Sequence, residues 1–286
     1  MSTPRADDAP QVHRLAAFTS DPAGGNPAGV VITGAPLDPV RMQAIAAEVG
    51  YSETAFLVPG AAPRAWRVRY FSPAAEVPFC GHATIAAGVL LGRRHGSGPA
   101  AFDTPAGTVR VDIDADGTRP SATLTSVTPR VDDAPDGLVD AALGTMGWSR
   151  EVLDPALPPA VADAGARHLV LALHSRALLA DLRYDFAALQ PIARDAGIVT
   201  FAVLWRERDD RIHARNPFPL GGVVEDPATG AAAAAVGAYL RARGEVTPPA
   251  TVEILQGDDM GRPSRLVVDI PAGTGGIAVT GTAIDL

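Results

Sequence analysis

A chain of 286 residues, 47% hydrophobic and 20% charged, carries enough apolar side chains to bury a core, unlike segments that stay disordered. A net charge of -8 and a pI near 5.2 leave no broad basic face, so the expected partner is a small molecule, with no nucleic acid and no membrane. All 24 basic residues are arginine and the single cysteine is Cys80, which excludes lysine Schiff-base chemistry, a P-loop, an internal disulfide and an epimerase built on two thiols.

Residues 1–10 are polar, carry Arg5, Asp7 and Asp8 without the apolar core of a signal peptide, and read as a disordered tail. No apolar run reaches the ~18–20 residues of a membrane helix, so a cytoplasmic location is expected. Strands are expected at 12–18 and 29–33, around a tight turn at 21–28. A helix follows, with Asp38 as N-cap, Pro39 at its first position, an apolar stripe of Met42, Ile45, Ala46 and Val49, and Gly50 as its stop. Strands at 53–58 and 65–71 lead to a helix over about 82–91 that is apolar on every side, the mark of a buried helix. Short alternating strands at 109–113 and 122–124 precede an acidic, proline-containing stretch at 131–137, read as the boundary between lobes. The second half offers strands at 168–173 and 200–205 around a helix near 185–196, then an alanine-rich buried helix over about 228–241. The expected domains are therefore the tail at 1–10, an N-terminal lobe at 11–130 and a C-terminal lobe at 131–286, whose last strand is free to return to the first.

The halves read as copies. Superposing Arg69-Tyr-Phe-Ser-Pro73 on Arg215-Asn-Pro-Phe-Pro219 sets Cys80 against Asp226, each just before its buried helix. This predicts an α+β fold of two similar lobes, each a mostly antiparallel sheet wrapped around a central helix, with a ligand cleft between them.

Both buried helices open on short polar segments, 79–84 and 225–230. The unpaired N–H groups and partial positive charge of two helix N-termini suit an anion such as a carboxylate. Cys80, Gly81, Ala83, Thr84, Thr229, Gly230 and Ala231 are the substrate-binding candidates. The plain alternative is N-capping by Thr84 and Asp226. Glu53, in Tyr51-Ser-Glu-Thr54, would stand at a strand edge, where a glutamate is ordinarily a solvated charge. Cys80 is either an inert buried hydrophobe, an acid–base partner of Asp226, or a nucleophile activated by its helix N-terminus. His13, His95, His168, His174 and His213 show no metal-ligand spacing, and no metal is expected. No glycine pattern supports a nicotinamide cofactor.

Several segments, in order, resemble the PhzF-like (phenazine biosynthesis F) family within the diaminopimelate-epimerase fold. They are Ala17-Phe18, Gly25-Asn-Pro-Ala28, Ser52-Glu-Thr54, Phe71-Ser-Pro73, Pro78-Phe-Cys-Gly-His-Ala-Thr84, Arg167-His-Leu169, Val224-Glu-Asp-Pro-Ala-Thr-Gly230, and Leu255-Gln-Gly257 leading to Met260-Gly-Arg-Pro-Ser264. The resemblance implies a cofactor-independent isomerase, a homodimer as related members are, in which Glu53 moves a proton between substrate carbons while His82 and Asp226 contact the substrate and assist. The family's best-known member isomerises a dihydro-hydroxyanthranilate. Ala231 stands where the family commonly has serine, and Arg215-Asn-Pro-Phe-Pro219 replaces a more aromatic segment, so the substrate is left open.

Two other readings remain. One is a non-catalytic small-anion-binding protein on the same scaffold, which a solvent-exposed Glu53 would favour and a shielded one would oppose. The other is a cysteine-dependent hydrolase, which needs His82 or another base within hydrogen-bond reach of Cys80.

Overall fold

The computed structural model describes residues 10–286, so the expected tail lies outside the described residues apart from Pro10. The chain is a mixed, sheet-rich α/β protein that divides into two compact units. The first comprises Pro27–Leu124 with the segment up to Pro22 and the C-terminal Thr282–Leu286; the second comprises Thr125–Gly281 with Ala23–Asn26. No helix of the described residues is long and apolar enough to cross a membrane.

The first unit is built from strands β1 (Val12–Ala17), β2 (Asn26–Ile32), β3 (Glu53–Pro59), β4 (Ala65–Phe71), β5 (Glu76–Val77), β6 (Gly98–Thr104), β7 (Gly107–Asp114) and β8 (Ser121–Thr125). Helix α1 (Pro39–Val49) links β2 to β3, which run parallel with Ala28 opposite Glu53. Strand β4 returns antiparallel to β3, pairs with the short β5, and lies parallel to β6. Helix α2 (Gly81–His95) makes the crossover to β6, after which β7 and β8 continue antiparallel.

The local signals for α1 act as the sequence predicts. The Asp38 carboxylate accepts the Val40 N–H at 2.8 Å, Pro39 opens the helix, and Gly50 closes it in the left-handed region at φ 71°. Met42, Ile45, Ala46 and Val49 pack on Val31, Phe56 and Phe71 of the sheet. Helix α2 is longer than expected, because Arg93, Arg94 and His95 extend its last turn, where cations meet the negative end of the helix dipole.

In the second unit, β9 (Arg130–Asp133) pairs antiparallel with β10 (Ala160–Asp163), and β10 with β11 (Arg167–Ala172). Helix α3 (Asp136–Thr145) lies between β9 and β10, and α4 (Arg176–Ala180) and α5 (Phe186–Ala196) lie within the crossover from β11 to the parallel β12 (Thr200–Arg208). Strand β13 (Arg211–Phe218) is antiparallel to β12 and to the short β14 (Val223–Asp226), and parallel to β15 (Ala250–Gln256). Helix α6 (Gly230–Arg243) makes that crossover, and β16 (Ser264–Ile270) and β17 (Ala278–Asp285) complete the run antiparallel. Leu189 and Ala193 of α5 and Val139, Ala142 and Leu143 of α3 bury against Leu169, Leu171, Phe201 and Val203.

The stretch at 131–137 is not a linker. Residues Arg130–Asp133 form β9, with Ala160 opposite Asp133, and Asp136 already begins α3; the division falls instead between Leu124 and Thr125. Edge hydrogen bonding turns this charged segment into a strand that its composition does not announce. Helix α6 starts later than expected, at Gly230, because Thr229 is still extended at φ -116°, ψ 91°.

Both central helices approach their sheets through a glycine. A Cβ on Gly88 of α2 would stand 2.7 Å from the Ala122 Cβ, and one on Gly237 of α6 would stand 2.7 Å from a Val268 methyl. The Ala122 methyl has no torsion through which to yield. Gly88→Ala is expected to lower stability by about 1–3 kcal/mol through overpacking, read as an earlier midpoint in urea unfolding.

His168, fully buried in β11, shares a 2.8 Å contact through Nδ1 with the Thr200 hydroxyl. Burial pulls its pKa down to about 4. The unfolded chain takes up this proton near pH 6.5 and the folded one only near pH 4, so stability is full above about 6.5 and falls as pH drops toward 4. His168→Gln is expected to remove about 3 kcal/mol of acid-side loss, measured as unfolding free energy against pH.

Candidate active site

In the first unit Glu53, Cys80 and His82 converge. The turn at Gly50 carries the chain from α1 into β3, whose first residue is Glu53, and the β4–β5 hairpin delivers Cys80 to the start of α2. Arg69 braces the hairpin by donating from Nε and Nη2 to the two Glu76 oxygens, both at 2.6 Å. This bidentate pair holds the Glu76 carboxyl below its usual range. Cys80 Sγ donates to Glu53 Oε2 at 3.4 Å and lies 3.4 Å from Nδ1 and 3.8 Å from Nε2 of His82. His82 Nε2 is 3.4 Å from Glu53 Oε2 and 3.2 Å from the Ser52 hydroxyl. The Glu53 side chain is only 17% exposed and that of His82 7%, so this glutamate is shielded rather than a solvated strand-edge charge.

The alternative reading, capping by Thr84, does not hold. Cys80 holds the N-cap position of α2 without a side-chain cap bond, and the Thr84 hydroxyl, fully buried, donates to the Cys80 carbonyl at 2.7 Å and contacts the Tyr70 hydroxyl at 2.5 Å. Thr84 therefore fixes the Cys80 backbone and has no face for a ligand. Ala83 is likewise fully buried, whereas Gly81 is half-buried.

The second unit repeats the bracing arginine. Arg215 donates from Nε to Glu225 Oε2 at 3.0 Å and from Nη2 to Oε1, while Nη1 reaches the carbonyls of Leu179 at 3.1 Å and Ala180 at 3.0 Å. Beside it Asp226 is held from three sides. Asn26 Nδ2 donates to Oδ1 at 2.6 Å, the Thr229 hydroxyl donates to Oδ2 at 2.7 Å, and Gln256 Nε2 donates to the backbone carbonyl at 2.6 Å. Thr229, not Asp226, occupies the N-cap of α6, again without a side-chain cap bond, and Gln256 Oε1 accepts its N–H at 3.2 Å. Gly230 is buried, and Ala231 half-buried at the first turn.

Asn26, Ser52 and Gln256 lie in the family-like motifs, but no local pattern gives them a role. The surrounding glycines and prolines predict a turn at Asn26, but it begins β2 and is buried. A buried amide beside a buried carboxylate is a tertiary fact that the local pattern does not contain.

The chemistry open to the first cluster is threefold. A shielded carboxylate beside a histidine can carry a proton; the 3.4 Å approach of Cys80 to His82 also meets the requirement of a thiol nucleophile; and three donor atoms within 4.8 Å of one another could share a metal ion.

Comparison with known proteins gives the family. The family described as phenazine biosynthesis-like protein (PhzC-PhzF) matches residues 15–286, and the chain belongs to it. It is 35% identical over 235 residues to the uncharacterized isomerase YddE of Escherichia coli K12, covering 81% of this chain and 79% of the relative. It is 32% identical over 253 residues to trans-2,3-dihydro-3-hydroxyanthranilate isomerase of Pseudomonas aeruginosa, covering 87% and 86%. Among solved structures, a predicted epimerase from Pseudomonas aeruginosa superposes with a TM-score of 0.85 at 29% identity over 97% of both chains. A hydroxyproline epimerase from Agrobacterium vitis, at 16% identity and a TM-score of 0.66 over 96% and 90%, shares the fold. The protein is an enzyme of an isomerase family.

Removing the amide that holds Asp226 tests how far the second network is structural. Asn26→Ala removes one donor from the buried Asp226 carboxylate and is expected to cost about 1–3 kcal/mol in denaturant unfolding.

Proposed function

We propose that this chain is a cofactor-independent isomerase or epimerase that moves a proton between carbons of a small carboxylated metabolite, with Glu53 as the proton carrier. The observation that carries this reading is the shielded Glu53 carboxylate, its Oε2 3.4 Å from both Cys80 Sγ and His82 Nε2 at the head of α2. As base, the carboxylate takes a proton from one substrate carbon and leaves an anion delocalised into the adjoining unsaturated or carboxyl system. As the acid so formed, it returns the proton to another carbon, or to the other face of the same one. Nothing is gained or lost, so no redox partner is required.

The free N–H groups in the first turn of α2 suit the substrate carboxylate, with Gly81 the residue there that retains exposure. His82, set between Ser52 and Glu53, orients the carboxylate and can donate to the developing anion. Asp226 is assigned a substrate contact, with Thr229, Gly230 and Ala231 beside it. A methyl at Ala231 instead of a hydroxyl favours a less polar substituent at that place than relatives with serine accept.

We further read the two units as similar lobes of the diaminopimelate-epimerase type. Each runs through a parallel strand pair bridged by helix, an antiparallel hairpin carrying an arginine–glutamate brace, a buried crossover helix and two antiparallel strands.

Deuterium incorporation in heavy water, followed by NMR across small carboxylated amino acids and cyclic dienoates, tests the proposal. Enzyme-dependent exchange is expected, and Glu53→Gln should reduce it by about 10²–10⁴-fold, the typical contribution of a positioned acid–base group. Binding without exchange in the wild type would move the reading to the small-anion-binding protein.

A further inference from the structure

The geometry points to a thiophilic divalent-cation site: we propose that Glu53, Cys80 and His82 together bind Zn²⁺ as a three-ligand site with water in the fourth position. The argument rests on the triangle of donor atoms. Cys80 Sγ is 3.4 Å from Glu53 Oε2 and 3.8 Å from His82 Nε2, and Oε2 is 3.4 Å from Nε2. In a tetrahedral zinc site the bond lengths of ~2.3 Å to sulfur and ~2.0–2.1 Å to nitrogen and oxygen place the sulfur about 3.5 Å from each light donor, and those two about 3.3 Å apart. Sγ lies nearer Nδ1, at 3.4 Å, than Nε2, so the donor atoms are gathered within bonding reach of one ion but the imidazole must turn to aim Nε2 at it.

The donor set fits this class of ion. A thiolate and an imidazole favour Zn²⁺ or Co²⁺ over Mg²⁺ and Ca²⁺, which take oxygen ligands. The burial of Cys80 and His82 and the shielding of Glu53 lower the competition from bulk water. Binding replaces the Cys80 thiol proton, which passes to solvent, and trades the 3.2 Å contact between His82 Nε2 and Ser52 for a metal bond. The sequence gives no hint of this, because no ligand spacing is involved: Glu53 comes from the start of β3 and the other two from the head of α2. A coordinated Glu53 is unavailable for proton transfer, so the cation acts as an inhibitor. That consequence rests on the proposed function, whereas the binding does not.

The test uses untagged full-length protein without substrate. Zn²⁺ titrated against a chromophoric chelator should bind at one equivalent. Anaerobic Co²⁺ should give the intense visible bands of a tetrahedral ion together with a thiolate-to-cobalt charge-transfer band in the near ultraviolet. Cys80→Ser should abolish that band. Cys80→Ser and His82→Ala should each weaken Zn²⁺ binding by at least ~100-fold, beyond the 10- to 100-fold cost of losing an outer partner. Absence of one-equivalent binding, a cobalt spectrum without the charge-transfer band, or affinity unchanged in both variants would overturn the proposal. The wild-type cobalt spectrum decides even if a variant fails to fold. Deuterium exchange in metal-free enzyme is a separate readout, so failure of the cation site and failure of the isomerase reading are told apart.

Discussion

The constraint on which this structure depends is that each unit must bury a helix apolar on nearly every side. Helix α2 has no polar face to show water from His82 to Gly92, and α6 is buried from Ala232 to Leu240. A helix of this kind has to be enclosed by sheet, and glycine, at Gly88 and Gly237, lets sheet side chains approach its backbone. Enclosure leaves only the ends of the helix near solvent. The N-terminal end is the one with unpaired donors, and at α2 it is where Glu53, Cys80 and His82 meet.

The two helix heads are prepared differently. At α2 the cap residue is a thiol whose side chain makes no cap bond and instead meets a carboxylate and an imidazole, a set of groups able to exchange protons. At α6 the Asp226 carboxylate is tied by an amide and a hydroxyl, an arrangement suited to holding a group in place. The arginine–glutamate braces also differ in setting. Arg69–Glu76 lies in the half-exposed range, where an ion pair contributes little, while Arg215–Glu225 is nearly buried and also satisfies two backbone carbonyls. Loss of one partner in the second pair would strand a buried charge.

Much of the architecture was legible along the chain. Asp38, Pro39 and Gly50 bounded α1, and the apolar stretch before Arg93 announced a buried helix, because capping and amphipathicity are local properties. The strand at Arg130–Asp133 and the helix at Asp136–Thr145 were hidden. An edge strand of charged residues owes its form to its partner at Ala160–Asp163, and no local pattern records a partner. The start of β2 at Asn26 was missed for a related reason: glycine and proline around it signal a turn, while its burial comes from Asp226, two hundred positions away.

The sequence by itself determined which residue types were on hand for chemistry: one thiol, no lysine, and a glutamate placed after a helix and before a strand. It also set the two buried helices and their polar heads, since periodicity and capping act over a few residues. The tertiary structure alone decided that Glu53 meets Cys80 and His82, that Thr84 spends its hydroxyl on the backbone, and that Asp226 is gripped rather than capping its helix. Those contacts depend on where the β4–β5 hairpin returns the chain to the first residue of β3, a path fixed by strand register and core packing across the whole unit and written in no single stretch of residues.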